Sequence, residues 1–146
     1  MSVPEDFAVV LVTAPDMDLA RRLAKAALEA KLAACANIVP AVESHYWWKG
    51  KLESSDEVLL IFKTRQQLLP KLERAVREIH PYDTPEFVAL PLTAGNQKYL
   101  AWIEVKEATR PDEVGKLQAR LDAVLLQLSQ GQTPVVDPET LNAPES

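Results

Sequence analysis

ANIVPAVESHYWW (Ala36–Trp48), the dipeptide Lys49-Gly50 and the return LESSDEVLLIFKT (Leu52–Thr64) decide how this chain folds. Both runs are rich in β-branched and aromatic residues. The Lys-Gly pair between them suits a tight turn, because glycine takes a positive φ without a Cβ clash. They predict one long hairpin. Pro40 has no N–H to give a ladder, so the first strand is expected to bend or bulge there, or to lie at a sheet edge. Glu53, Ser54, Ser55, Asp56 and Glu57 make the near end of the returning strand polar, and Val58–Phe62 is its buried part. A strand of this length spans about 43 Å, whereas a compact unit of ~110 residues is roughly 30 to 35 Å across. The hairpin therefore outruns its own domain and carries Tyr46, Trp47 and Trp48 into water unless neighbouring copies shelter them.

On the N-terminal side, FAVVLVT (Phe7–Thr13) is a continuous apolar run, too short for a helix, as expected of a central strand. Asp16 can cap a following helix over Met17–Lys31, whose Leu19, Leu23, Ala26 and Ala27 are apolar while Arg21, Arg22, Lys25 and Glu29 lie largely opposite. On the C-terminal side, Pro70 suits the first turn of a helix from about Leu69 to His80, with Leu72, Val76 and Ile79 as its stripe and Pro81 as its stop. Glu86–Leu92 reads as a strand, Asn96–Val105 as a short helix, and Glu113–Leu128 as a clear amphipathic helix.

The order strand, helix, strand, strand, helix, strand is the split βαβ pattern of an α+β, ferredoxin-like sandwich. Its antiparallel sheet carries both helices on one face and leaves the other uncovered. The expected organisation is a domain over residues 1–106, an added helix in 107–131, and a Pro-rich acidic tail in 132–146. Residues 1–106 hold 14 acids and 13 bases, whereas residues 107–146 hold seven acids and three bases, so most of the net charge of -5 lies past the domain.

Those numbers exclude several classes. An acidic chain offers no wide positive field for a phosphate backbone, so no nucleic-acid partner is expected. RNA-binding modules of this strand order also place aromatics on the central strands, where this chain is aliphatic. Four glycines draw neither a phosphate loop nor a dinucleotide fingerprint. One cysteine rules out an intrachain disulfide, and no apolar run reaches membrane-spanning length, so a cytoplasmic protein with no membrane partner is expected.

Few groups remain for chemistry. Cys35, in KLAACANI, reads as a small buried thiol or as one soft metal ligand; His80, before Pro81, reads as a helix cap or as an imidazole ligand. One Cys and two His are too few for a closed zinc site, but Cys35 with His80, or a site shared among copies, suits copper. His45 reads as a solvated or interface residue. Glu57, Lys63, Tyr82, Asp83 and Glu86 are polar groups near strand ends, where a cleft between subunits can form or where they make rim ion pairs. No nucleophile pairs with a base, so no enzyme is expected.

Seven pieces, VLVTAPD (Val10–Asp16), KLAACANI (Lys31–Ile38), SHYWWKG (Ser44–Gly50), Glu57, Lys63-Thr64, HPYDTPE (His80–Glu86) and YLAWI (Tyr99–Ile103), resemble in order and spacing the CutA divalent-cation tolerance proteins. The resemblance covers roughly residues 7–106. It implies a ferredoxin-like subunit in a tight homotrimer similar to the PII signalling proteins, joined through edge strands and the hairpin. It also implies a part in tolerance of copper and other divalent cations, with no required cofactor, with metal ions and its own copies as partners, and with Cys35 and His80 on positions considered for metal contact. Some members carry a cysteine just before TAPD; here that residue is Val12. The PII likeness implies a second expectation, a small anion or metabolite in an intersubunit cleft lined by Tyr46, Trp48, Lys63 and Tyr82. A third is a structural trimer that recruits a partner through its acidic tail.

Overall fold

The structure, a computed structural model, describes residues 6–107 and 111–131, without the side chains of residues 111–117. Strand β1, Phe7–Ala14, buries Ala8, Val10, Val12 and Ala14 on one face and half-buries Val9 and Leu11 on the other. Helix α1, Met17–Glu29, starts where Asp16 accepts the Leu19 amide at 2.8 Å and buries Leu19, Ala20, Leu23, Ala24 and Ala27. It ends two residues before the sequence pattern does. There Lys31 turns left-handed (φ 60°), its amide bonding the Leu28 carbonyl while the Leu32 amide reaches back to Ala27. This is a Schellman stop with lysine in glycine's usual place.

Strands β2 (Cys35–Trp48) and β3 (Lys51–Arg65) form the expected hairpin. Trp48 pairs with Lys51, so the turn is Lys49-Gly50 alone, with φ of 50° and 78°, the two-residue geometry that matches strand twist. After a 3₁₀ turn at Gln66–Leu68, helix α2 (Leu69–Ile79) buries Leu72 and Val76. Strand β4 is only Val88–Pro91, shorter than the run Glu86–Leu92, because Pro85 supplies no N–H and β1 offers partners only from Ala8 to Leu11. Helices α3 (Gln97–Glu107) and α4 (Pro111–Ser129) follow. The expected tail over 132–146 lies outside the described residues.

All strand pairs are antiparallel, in the order β2-β3-β1-β4, which is the ferredoxin-like arrangement. Helices α1 and α2 cover one face over Val10, Val12, Leu60 and Phe62. The opposite face is only partly free: α3 crosses one end of it, setting Leu100 and Ile103 on Phe7, and α4 packs Leu121 against Ala101 and Val105. Beyond α3, Val9, Leu11, Leu59 and Ile61 stay half-buried, and Val88 and Leu90 are 46% and 49% exposed.

The last β1 pairing is Ala14 with Val58, so Val42–Trp48 and Lys51–Glu57 project past the sheet as a two-stranded arm of about 23 Å. Trp47 and Leu52 near its end are 71% and 69% exposed.

Candidate functional site

Pro40 sets up the site. Val39 pairs with Leu59 and Val42 with Glu57, so β2 uses three steps where β3 uses two: a bulge at Pro40-Ala41, on an edge strand. The extra residue changes parity. Before it, Cys35, Asn37 and Val39 share a face with Leu59 and Ile61; after it, Val42, Ser44, Tyr46 and Trp48 share a face with Ser55 and Glu57. Tyr46 and Trp48 thus face the side of the sheet left free by α1 and α2, and Trp47 faces the other.

The loop after α2 closes the second wall. His80 is buried; its Nε2 lies 2.7 Å from the Thr13 carbonyl and its Nδ1 accepts the Tyr82 amide at 3.2 Å. Nε2–H therefore donates to Thr13, and both ring nitrogens are taken. The ring ties the loop to β1 and leans on Tyr82, centroids 4.6 Å apart. Tyr82 donates its hydroxyl to Glu57 Oε2 at 3.2 Å across the gap.

Between arm and loop lies an open cleft of about 600 Å³, lined among others by Thr13, Tyr46, Trp48, Glu57, Tyr82 and Glu86. Its character is anionic. Burial, then the charge of Glu57, pushes the Glu86 carboxyl up; burial, then Glu57, does the same to the Tyr82 phenol. A cation entering beside Glu57 and Glu86 would relieve that repulsion, and an anion would add to it. Carboxylate, phenol and hydroxyl oxygens make a hard donor set, suited to divalent cations more than to soft ones.

The sequence-derived residues divide between two places. Tyr46, Trp48 and Tyr82 meet in the cleft, with Glu57, Asp83, Glu86 and His45. Lys63 does not: it pairs across the sheet with Cys35 and bonds the Asn37 side-chain oxygen. Cys35 is half-buried there, its thiol near Asn37 and against the Tyr99 hydroxyl, whose pKa is raised by burial and then by Cys35. Lys63 is also level with Val9, four residues along β1 from Thr13, so one chain holds Cys35 and His80 roughly 13 Å apart along the strands. Among the described residues no three His, Cys, Asp or Glu side chains converge on an ion. Thr13, Ser44, Ser55 and Thr84 also line the cleft and were not singled out from sequence. The bulge parity, which the sequence leaves open, brings Ser44 to this face, whereas Ser55 is there by the plain alternation of β3 with Glu57 and Leu59.

With these motifs placed on one sheet and one cleft, the comparison with known proteins is decisive: the family model described as CutA1 divalent ion tolerance protein matches residues 8–106. The chain belongs to the CutA1 family. Protein CutA 1, chloroplastic, of Oryza sativa subsp. japonica is 51% identical over 102 residues, which are 70% of this chain and 56% of that protein. The divalent-cation tolerance protein CutA of Thermus thermophilus is 48% identical over 95 residues, 65% of this chain and 92% of that one. The crystal structure of CutA1 from Oryza sativa superposes with a TM-score of 0.69 at 48% identity, covering 75% of this chain and 97% of that one. This CutA chain therefore spans little more than half of the rice protein's length and nearly all of the Thermus protein's. Helix α4 begins after the end of the family match. Among the described residues no helix is long and apolar enough to cross a membrane.

Proposed function

We propose that this CutA protein is a non-enzymatic, trimeric component of divalent-cation tolerance that holds its ion weakly and reversibly. The observation that carries this reading is the carboxylate pair Glu57 and Glu86 in a cleft that family motifs build from both sides. A cytoplasmic location belongs to the same proposal, although the rice relative is called chloroplastic.

Copper is the ion to test first, with Cys35 and His80 as its soft ligands. Because one chain keeps those two apart, they serve copper together only if different copies bring them near each other, and His80 must release one of its two bonds. Val12 in place of the thiol found in some members removes a soft donor beside Thr13. Calorimetric titration with copper and with a harder divalent ion separates the sites. Cys35→Ala and His80→Ala should weaken copper; Glu57→Gln with Glu86→Gln should weaken the harder ion. Isotherms that none of these changes alter would defeat the proposal.

A second reading, a signalling module with a small effector in the cleft, draws support from the meeting of Tyr46, Trp48 and Tyr82 there. Lys63 lies elsewhere and Glu57 and Glu86 face in, so the effector this cleft suits is neutral or cationic. A stabilising neutral or cationic metabolite in a thermal-shift screen supports it, and none across a broad panel counts against it.

The trimer rests on the apolar sheet face, Val9, Leu11, Leu59, Ile61, Val88 and Leu90, and on the projecting arm.

A further inference from the structure

Three parts of the chain meet at the last residue of α3. Glu107 is 1% exposed; its Oε2 lies 2.6 Å from Thr64 Oγ1 on β3, and its Oε1 accepts Arg65 Nε at 3.2 Å. The same Thr64 Oγ1 lies 2.8 Å from the Leu32 carbonyl, in the connection from α1 to β2. A hydroxyl has one proton to give, and a carbonyl can only accept. If Thr64 gives its proton to Leu32, the 2.6 Å contact with the carboxyl holds together only when the carboxyl supplies the second proton. If Thr64 gives it to Glu107, the half-buried Leu32 contact is left as oxygen facing oxygen.

We propose that Glu107 is held as the neutral acid in the folded protein, donating to Thr64, which donates onward to Leu32, and that its ionisation is a pH-sensitive latch on α3 and the α4 helix packed against it. Ionisation turns the relay around: the carboxylate claims the Thr64 proton and Leu32 loses its donor. Arg65 of β3 is the charge that faces the carboxyl and favours ionisation. Glu104, one turn earlier on α3, is also buried, and the described charges of α4 beside Leu121 are Arg120 and Asp122. Burial outweighs the help from Thr64 and Arg65 and pushes Glu107 up to about 7.

Carbon-13 NMR of the side-chain carboxyls, assigned through each residue's own backbone and followed on the full chain from pH 5 to 9, reads the latch directly. The Glu107 carboxyl should titrate close to neutrality. Hydrogen exchange of α3 and α4 amides, corrected for intrinsic rate, should lose at least about tenfold protection between pH 5.5 and 8.5. In Glu107→Gln, whose amide can donate to Thr64 while its oxygen accepts from Arg65, that loss should vanish. A Glu107 carboxyl that titrates below pH 5.5 overturns the proposal, even if the variant fails to fold. A Glu107→Gln protein that keeps the wild-type pH dependence overturns it too.

Discussion

Single residues carry strain and charge that the fold then has to hold. Lys31 sits left-handed at the end of α1, where a side chain costs about 1 kcal/mol that glycine avoids. Lys31 is exposed, so Lys31→Gly should add about 1 kcal/mol of stability, read as a higher urea midpoint at an unchanged m-value. Glu107 acts through pH. Its pKa is raised from 4.5 to about 7 on folding, so the neutral acid's contribution is fully present below about 4.5 and disappears as pH climbs through 7. That difference amounts to about 3 kcal/mol. Denaturation at pH 5.5 and 8.5 should show the acid side more stable by part of this amount in wild type and not in Glu107→Gln. At this scale the sequence was legible wherever the signal was local. Asp16 caps the amide three residues on, and Pro70 opens its helix. Glu107 was not legible: it looks like a solvated helix end until β3, 42 residues away by Arg65, folds over it.

Elements show the same division. The hairpin, both sandwich helices and the central strand followed from periodicity, with ends shifted by one or two residues. The face of the arm did not follow, since alternation separates Tyr46 and Trp48 from Trp47 but cannot orient either set. The pairing with β3 orients them. Deleting Ala41 should remove the bulge yet leave Val42 opposite Glu57 and Trp48 opposite Lys51, so Tyr46 and Trp48 keep the cleft face and Trp47 the other. Iodide quenching of single-tryptophan versions would check this: if the order of accessibility of Trp47 and Trp48 reverses in the deletion variant, the pairing with β3 does not set the face. Only part of the cleft was foreseen, because Lys63 and Cys35 lie near Tyr82 in no sense that spacing can express. Three strands and the loop after α2 fix those separations.

For the molecule as a whole, one sheet face and a long arm have too little of their own chain to cover them. In the proposed trimer these surfaces meet. Leu90 is half exposed in the single subunit, so Leu90→Arg should cost the isolated fold under about 0.5 kcal/mol yet break association. Sedimentation should find three copies in wild type and one in the variant, both with native circular dichroism; a wild-type monomer at micromolar concentration would refute the assembly. Function was legible here only through the resemblance. Composition and charge removed nucleic-acid and nucleotide chemistry, but no combination of one thiol and two imidazoles names an ion by itself.

The two-residue turn at Lys49-Gly50 bears on time as well as on shape. It joins its strands with almost no loop to close, so the arm can zip from its end inward within about 1–10 μs, before distant segments have met. Strand β4 must instead find β1 across the whole interval from Leu11 to Val88. Folding kinetics of conservative variants should therefore give high φ-values around Val58 and Leu60, where the zipper reaches the body, and low ones at Val88 and Leu90. The edge strand would be the last to dock and the first to leave.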